Sequence, residues 1–293
     1  MLGFALPQFG ESAHAELARF ASTAEQLGAG SLWVGDRLLA PAQPSVGYGG
    51  GDGVPPNFRT SLDPFVALTV AATVTTSARL GFSVLVAPWY PPVQLARQLT
   101  SLDVVSRGRV LPGFGIGWSP EEYQAAGAVF AHRGAQLDEL LDALEALWTT
   151  DPVSFDGDRY RVPPSWISLK PVQQPRPPIY LGASSTAGLQ RIGRRADGWL
   201  AVVVVPSAVR IDKLAAARQV IDDAAQAAGR DPAAITTQVR VNVAAGTPIE
   251  EVEDAVKALQ DNGYRDMFVD TLYVVDDTDT QLEWVQRLLA VGS

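Results

Sequence analysis

Short apolar runs alternate with stretches of helical period from one end of this chain to the other, and that rhythm restricts the fold more than any single residue does. A parallel strand buries both faces and an amphipathic helix buries one stripe, so a repeated β-then-α order points to a parallel sheet covered by helices. The runs predict strands at Leu2–Leu6, Ser31–Gly35, Arg79–Val86, Val110–Phe114, Pro178–Gly182, Gly198–Val204, Thr236–Val243 and Arg265–Thr271. Between them the spacing predicts helices at Ser12–Leu27, Asp63–Thr76, Pro92–Ser106, Arg133–Trp148, Thr186–Ala196, Ser207–Ala228 and Ile249–Asn262, with a last one at Asp279–Ala290. Strand followed by helix, eight times over, is the count of an α/β fold of the (β/α)8 TIM-barrel type. The expected domain organisation is one barrel over residues 1–293.

Composition narrows the partners. The net charge of −9 argues against a nucleic-acid or anionic-membrane surface partner. With no cysteine, disulfides, thiolate catalysis and cysteine-held metal centres are excluded. The start, Met1-Leu2-Gly3-Phe4-Ala5-Leu6-Pro7, lacks the basic region and long apolar run of a secretion signal. No run approaches the roughly 20 apolar residues of a membrane span, so a cytoplasmic protein is expected.

Two insertions break the repeat. One, about residues 40–60, is rich in Gly and Pro and follows the second strand as a long rim loop. The other, about 151–176, contains Phe155-Asp156-Gly157-Asp158-Arg159-Tyr160, which reads as a hairpin turn, among prolines that suggest an extended strap. Loops this long in a compact domain are often functional, and equally serve as plain surface insertions.

Chemistry in such a barrel belongs at the strand C-termini. Ser31-Leu32-Trp33-Val34-Gly35-Asp36-Arg37 ends a buried strand in an acid–base pair, which reads either as ligand-binding groups or as a rim salt bridge. In Gly81-Phe82-Ser83-Val84, a glycine and a small polar residue inside a strand invite a bulge or a close backbone approach. Gly113-Phe114-Gly115-Ile116-Gly117-Trp118 is not the dinucleotide spacing; its alternate glycines predict one cleared face against which a flat ring can lie, walled by Trp118. Ser119-Pro120-Glu121-Glu122 marks a helix start. Gly182-Ala183-Ser184-Ser185 precedes a helix N-terminus, a place for a phosphate or for an ordinary cap. Thr186 occupies the position where a nucleophile elbow needs glycine, and neither His14 nor His132 falls at a strand end, so hydrolase triads and a histidine-held metal are not expected.

Taken together, Trp33–Arg37, Leu80–Pro88, Leu102–Arg109, Gly113–Trp118, Glu121-Glu122-Tyr123 and Pro178–Trp199 resemble the bacterial luciferase-like monooxygenase superfamily. More narrowly they resemble its short oxidoreductases that use the deazaflavin coenzyme F420. The resemblance covers about Leu2 to Val205 and leaves the last third generic. It implies a barrel with the cofactor ring at the C-terminal rim and a non-proline cis peptide at Ser83–Val84. Carried over, Asp36, Ser83, Val84, Gly115, Gly117 and Trp118 would contact the ring or its side chain, and Gly182, Ala183, Ser184 and Ser185 would hold the phosphate. Well-known members carry Asp-His where this chain has Asp36-Arg37; a permanent cation there can stabilise an anionic ring or orient a substrate but cannot shuttle protons.

The implied activity is hydride transfer between deazaflavin C5 and a small organic substrate under the rim loop, with Asp36, Arg37, Tyr90 and Glu121 as catalytic candidates and Glu122 as a further proton donor. Tyr48, Phe58, Tyr90 and Trp118 are candidate substrate walls. An FMN-dependent monooxygenase fed by a separate reductase is the alternative, and a cofactor-free binding or partner subunit a lower one. A homodimer is expected.

Overall fold

A computed structural model describes residues 1–10, 16–275 and 277–291. Ser12, which starts the first predicted helix, and His14 lie outside those residues. Ten parallel strands form one curled sheet: β1 (Leu2–Ala5), β2 (Ser31–Val34), β3 (Arg79–Phe82), β4 (Leu85–Val86), β5 (Val110–Leu111), β6 (Gly113–Gly115), β9 (Tyr180–Gly182), β10 (Gly198–Val205), β11 (Thr236–Val243) and β12 (Met267–Asp270). Their order is β4-β6-β9-β10-β11-β12-β1-β2-β3-β5. Helices alternate with them: α1 (Leu17–Leu27), α2 (Pro64–Val74), α3 (Pro92–Val105), α4 (Pro120–Ala125), α5 (Arg133–Thr149), α6 (Thr186–Arg195), α7 (Ile211–Ala227), α8 (Ile249–Asp261) and α9 (Thr278–Val291). This is an α/β fold.

Two predicted strands are each broken in two. The run Arg79–Val86 parts at Ser83 and Val84, where the peptide bond is cis, the position that the resemblance implies. Val86 gives its N–H to the Asp36 carboxylate, 2.9 Å away. The run Val110–Phe114 parts at Pro112, which has no N–H for a ladder. The lower pieces β3 and β5 pair with each other, and the upper pieces β4 and β6 pair with each other. In the strap, β7 (Val153–Asp156) and β8 (Arg161–Ser165) form the expected antiparallel hairpin.

Alternation along β10 separates two cores. Trp199, Ala201, Val203 and Val205 pack into the large cluster shared with the helices. Leu200 joins Trp33, Leu111 and Phe268 in an inner cluster, where Trp33 and Phe268 stack at 4.7 Å. Local chemistry sets the helix starts above this core: Asp63, Ser119 and Ser185 each accept hydrogen bonds from first-turn N–H groups. Among the described residues, no helix is long and apolar enough to cross a membrane.

Candidate functional site

Asp36 follows β2 at the C-terminal rim and is 5% exposed. Its Oδ2 accepts from the Val86 N–H and from the Tyr90 hydroxyl at 3.0 Å, while its buried Oδ1 has no hydrogen-bond partner. Burial disfavours the charge and pushes this carboxyl up to about 7, against the pull of those two donors. Burial and the neighbouring Asp36 push the Tyr90 hydroxyl well above its ordinary range, so it stays a donor.

Arg37 donates through Nε to the Asp36 backbone carbonyl at 3.1 Å and leaves the Asp36 carboxylate to other donors. Its guanidinium lies between the rings of Phe58 and Trp118, 5.0 and 4.8 Å from their centroids, and pairs with Glu122 at 2.8 Å. Both partners are buried, at 9% and 0% side-chain exposure. Glu122 also accepts from the Leu38 and Leu39 N–H groups, so one carboxylate on α4 fixes the start of the rim loop. Burial raises its pKa, with Arg37 opposing. Glu121, next in sequence, accepts from the Ser45 N–H at 2.8 Å; hydrogen bonds from the Ser45 hydroxyl and N–H hold it down to about 2. It is an anion that tethers the loop.

The loop then folds over the rim on aromatic contacts. Tyr48 packs edge-on to Phe58 at 5.0 Å and lies 5.7 Å from Trp118 and 6.4 Å from Tyr273. Asn57 donates to the Leu272 carbonyl. Tyr48, Phe58, Tyr90 and Trp118, expected as substrate walls, make packing or hydrogen-bond contacts at the rim, and none of them lines either cavity described next.

Of the ten residues expected to hold a cofactor, Ser83, Val84, Gly182, Ala183 and Ser184 line one cleft of ≈ 660 Å³, which Arg210 and Lys213 also line. Val202 and Val204 also line it and are 53% and 48% exposed, unusual for valines inside a strand. Ser185 does not line it and caps α6. The glycine reading needs correction. A Cβ on Gly115 would stand 2.6 Å from the Val84 side chain, and one on Gly182 3.0 Å from it, so these glycines make room for Val84 and leave no bare face. Gly117 has φ +60°, and its Cβ would meet Val86 at 2.8 Å. Asp36 and Trp118 line neither cavity.

Sequence reasoning missed Arg240 and Asp270. Arg240 donates through Nη1 to the Ser83 carbonyl at 3.0 Å and through Nε and Nη2 to Asp270. Burial opposes its charge, but Asp270 outweighs that and raises its pKa. The signal was available in Thr236–Val243: Gln238, Arg240 and Asn242 alternate with Val239, Val241 and Val243, placing polar groups on the inner side of a strand. Arg240 and Ser83 also line a second cavity of ≈ 390 Å³ between the ends of β1, β2 and β12.

A model of the luciferase-like monooxygenase family matches residues 3–289. An uncharacterized protein of Mycobacterium tuberculosis is 37% identical over 175 residues, covering 59% of this chain and 60% of that relative. The match thus spans less than two thirds of the relative's length. Among solved structures, the monooxygenase RslO1 of Streptomyces bottropensis superposes with a TM-score of 0.80 at 19% identity over 99% of this chain and 97% of that one. An F420-dependent secondary alcohol dehydrogenase, solved with an F420–acetone adduct, gives 0.75 at 16% identity over 100% and 99%. At those identities the two structures speak for the shared fold alone, whereas a family match over nearly the whole sequence speaks for descent: this chain belongs to the luciferase-like monooxygenase family.

Proposed function

We propose that the chain is a single-domain (β/α)8 barrel over 1–293 and an oxidoreductase that holds coenzyme F420 in the larger cleft. The ring reading of the barrel counts β3 with β4, and β5 with β6, as one interrupted strand each, which the β3–β5 and β4–β6 pairings support. One observation carries the functional reading: Ser83, Val84, the Gly182–Ser184 turn and two exposed valines converge on one cleft. Val84, Val202 and Val204 offer an apolar wall to a flat ring, and the N-terminus of α6 offers free N–H groups to a phosphate. Lys213 and Arg210, the latter paired with Asp212, also line the cleft, and such cationic groups suit the long anionic tail of F420 better than FMN, which ends in a single phosphate.

When bound, the deazaflavin supplies hydride transfer at C5, to or from a small organic substrate. The chain's own residues bind, orient and exclude water. Arg240 holds the Ser83 carbonyl and so fixes the wall behind Val84. Asp36, titrating near neutrality, carries a proton at Oδ1 while Tyr90 and Val86 keep Oδ2 in place. Arg37 and Glu121 serve as loop anchors in this reading, Arg37 through its ring contacts and Glu122, Glu121 through Ser45. Gly115, Gly117 and Trp118 support the site from behind. A homodimer in the cytoplasm is the working expectation for the assembly.

Titration of the purified protein with F420 and separately with FMN, read by fluorescence quenching, tests this. Tight F420 and weak FMN binding is the expected outcome, and Val202→Asp should weaken it by about tenfold or more, because a carboxylate would replace an apolar wall. Tighter FMN binding would favour the FMN-dependent monooxygenase, and binding of neither would favour a cofactor-free subunit.

A further inference from the structure

The smaller cavity is a compartment of its own that touches the larger cleft at a single place, the wall made by Ser83 and Arg240. Its charged lining consists of Arg240 and Asp270, and these two are paired with each other. The compartment therefore has nearly no net charge. Arg240 has five N–H donors, of which the contacts to Asp270 and to the Ser83 carbonyl take three. A guanidinium can neither accept a hydrogen bond nor give up its proton at physiological pH, so an occupant has to bring an acceptor. Asp270 is already engaged on both oxygens, Oδ1 by the Leu272 N–H at 3.1 Å and Oδ2 by Arg240. The rest of the lining is uncharged: apolar surface from Leu6, Trp33, Phe268, Leu272 and Val275, and polar surface from Gln8, Asn57, Thr271 and Gln281, whose buried Oε1 has no hydrogen-bond partner. At ≈ 390 Å³ the space is at the small end of the range for ligand sites.

We propose that this cavity is the substrate compartment, and that it selects small neutral molecules with a carbonyl or hydroxyl oxygen, ketones and alcohols, over carboxylates and amines. Arg240 is the specificity-determining donor. A carboxylate would bring a second negative charge to a pair already neutral, and an ammonium group would meet the guanidinium. The role as substrate compartment rests on the cofactor reading above; the ligand class rests on Arg240, Asp270 and an otherwise uncharged lining, in which the free Gln281 Oε1 can accept from a hydroxyl.

Three probes with one ring and different oxygen chemistry test the class without any cofactor: cyclohexanone, cyclohexanol and cyclohexanecarboxylate, followed by saturation-transfer NMR. The ketone and the alcohol should bind, and the carboxylate should bind weaker by about tenfold or more, as an uncompensated buried charge requires. Thr271→Trp and Leu272→Trp each fill the cavity from a separate lining residue, and both should abolish the ketone signal. Retained F420 or FMN binding in those variants shows that the larger cleft and the fold persist. Equal or tighter carboxylate binding, no binding of any probe, or undiminished ketone binding in a folded cavity-filled variant would overturn the proposal. Failure of the cofactor titration with success of the probes would overturn the cofactor reading and leave the ligand class standing.

Discussion

Asp36 and Arg37 are neighbours in sequence with opposite fates, and each yields a measurable consequence. The folded-state pKa of Asp36 is raised to about 7 by burial, above its value in an unfolded chain. Its contribution to stability is therefore fully present below about pH 4 and is lost as the pH rises through about 7. Asp36→Asn imitates the protonated form, so thermal melts of the two proteins should diverge across that window, the parent losing stability relative to the variant as pH rises. Parallel melting curves would remove Asp36 as a titrating group. Arg37 is bound to a fully buried partner, so Arg37→Leu strands the Glu122 carboxylate. Urea unfolding should show a loss of about 3 kcal/mol, most of it restored in Arg37→Leu/Glu122→Gln. An additive double variant would mean that the pair is not coupled.

At the scale of the elements, one side chain ties α1 to the connection between α2 and β3. Glu25, near the end of α1, accepts from the N–H groups of Thr76, Ser77 and Ala78 at 2.7–3.0 Å. Burial alone would raise its pKa, but those three N–H groups outweigh it and hold it down to about 2. The stabilisation is present above the unfolded value near 4.5 and is lost as pH falls toward 2. Glu25→Ala should cost about 1 kcal/mol near neutral pH, discounted for solvent screening, and flatten the acid side of the stability profile. The placement of helices and strands was legible because each element repeats its own period: α9 spans Thr278–Val291 against an expected Asp279–Ala290. The breaks at Ser83 and Pro112 were not, since apolar periodicity runs straight across them. Similarly, a glycine pattern reveals that space is needed without telling what fills it; the filling group here, Val84, comes from the break between β3 and β4. Arg240 escaped notice for the same reason, because its partners Ser83 and Asp270 lie far from it in sequence.

Across the whole molecule, the mouth of the sheet is assembled from distant stretches. Glu121 and Glu122 hold the loop after β2, Asn57 reaches Leu272 beyond β12, and Arg240 on β11 reaches back to Ser83. Both cavities depend on such long-range contacts, which are slow to form because a long chain must close on itself first. The Asn57–Leu272 hydrogen bond closes a span of 215 residues. As the chain is synthesised, the rim loop is thus made 215 residues before the partner that seats it. Its aromatic residues, Tyr48 and Phe58, stay without their Tyr273 neighbour until more than 200 further residues have been made. For that interval the faces of Tyr48 and Phe58 that meet Tyr273 stay uncovered, although the two rings already have each other and Trp118 to pack on.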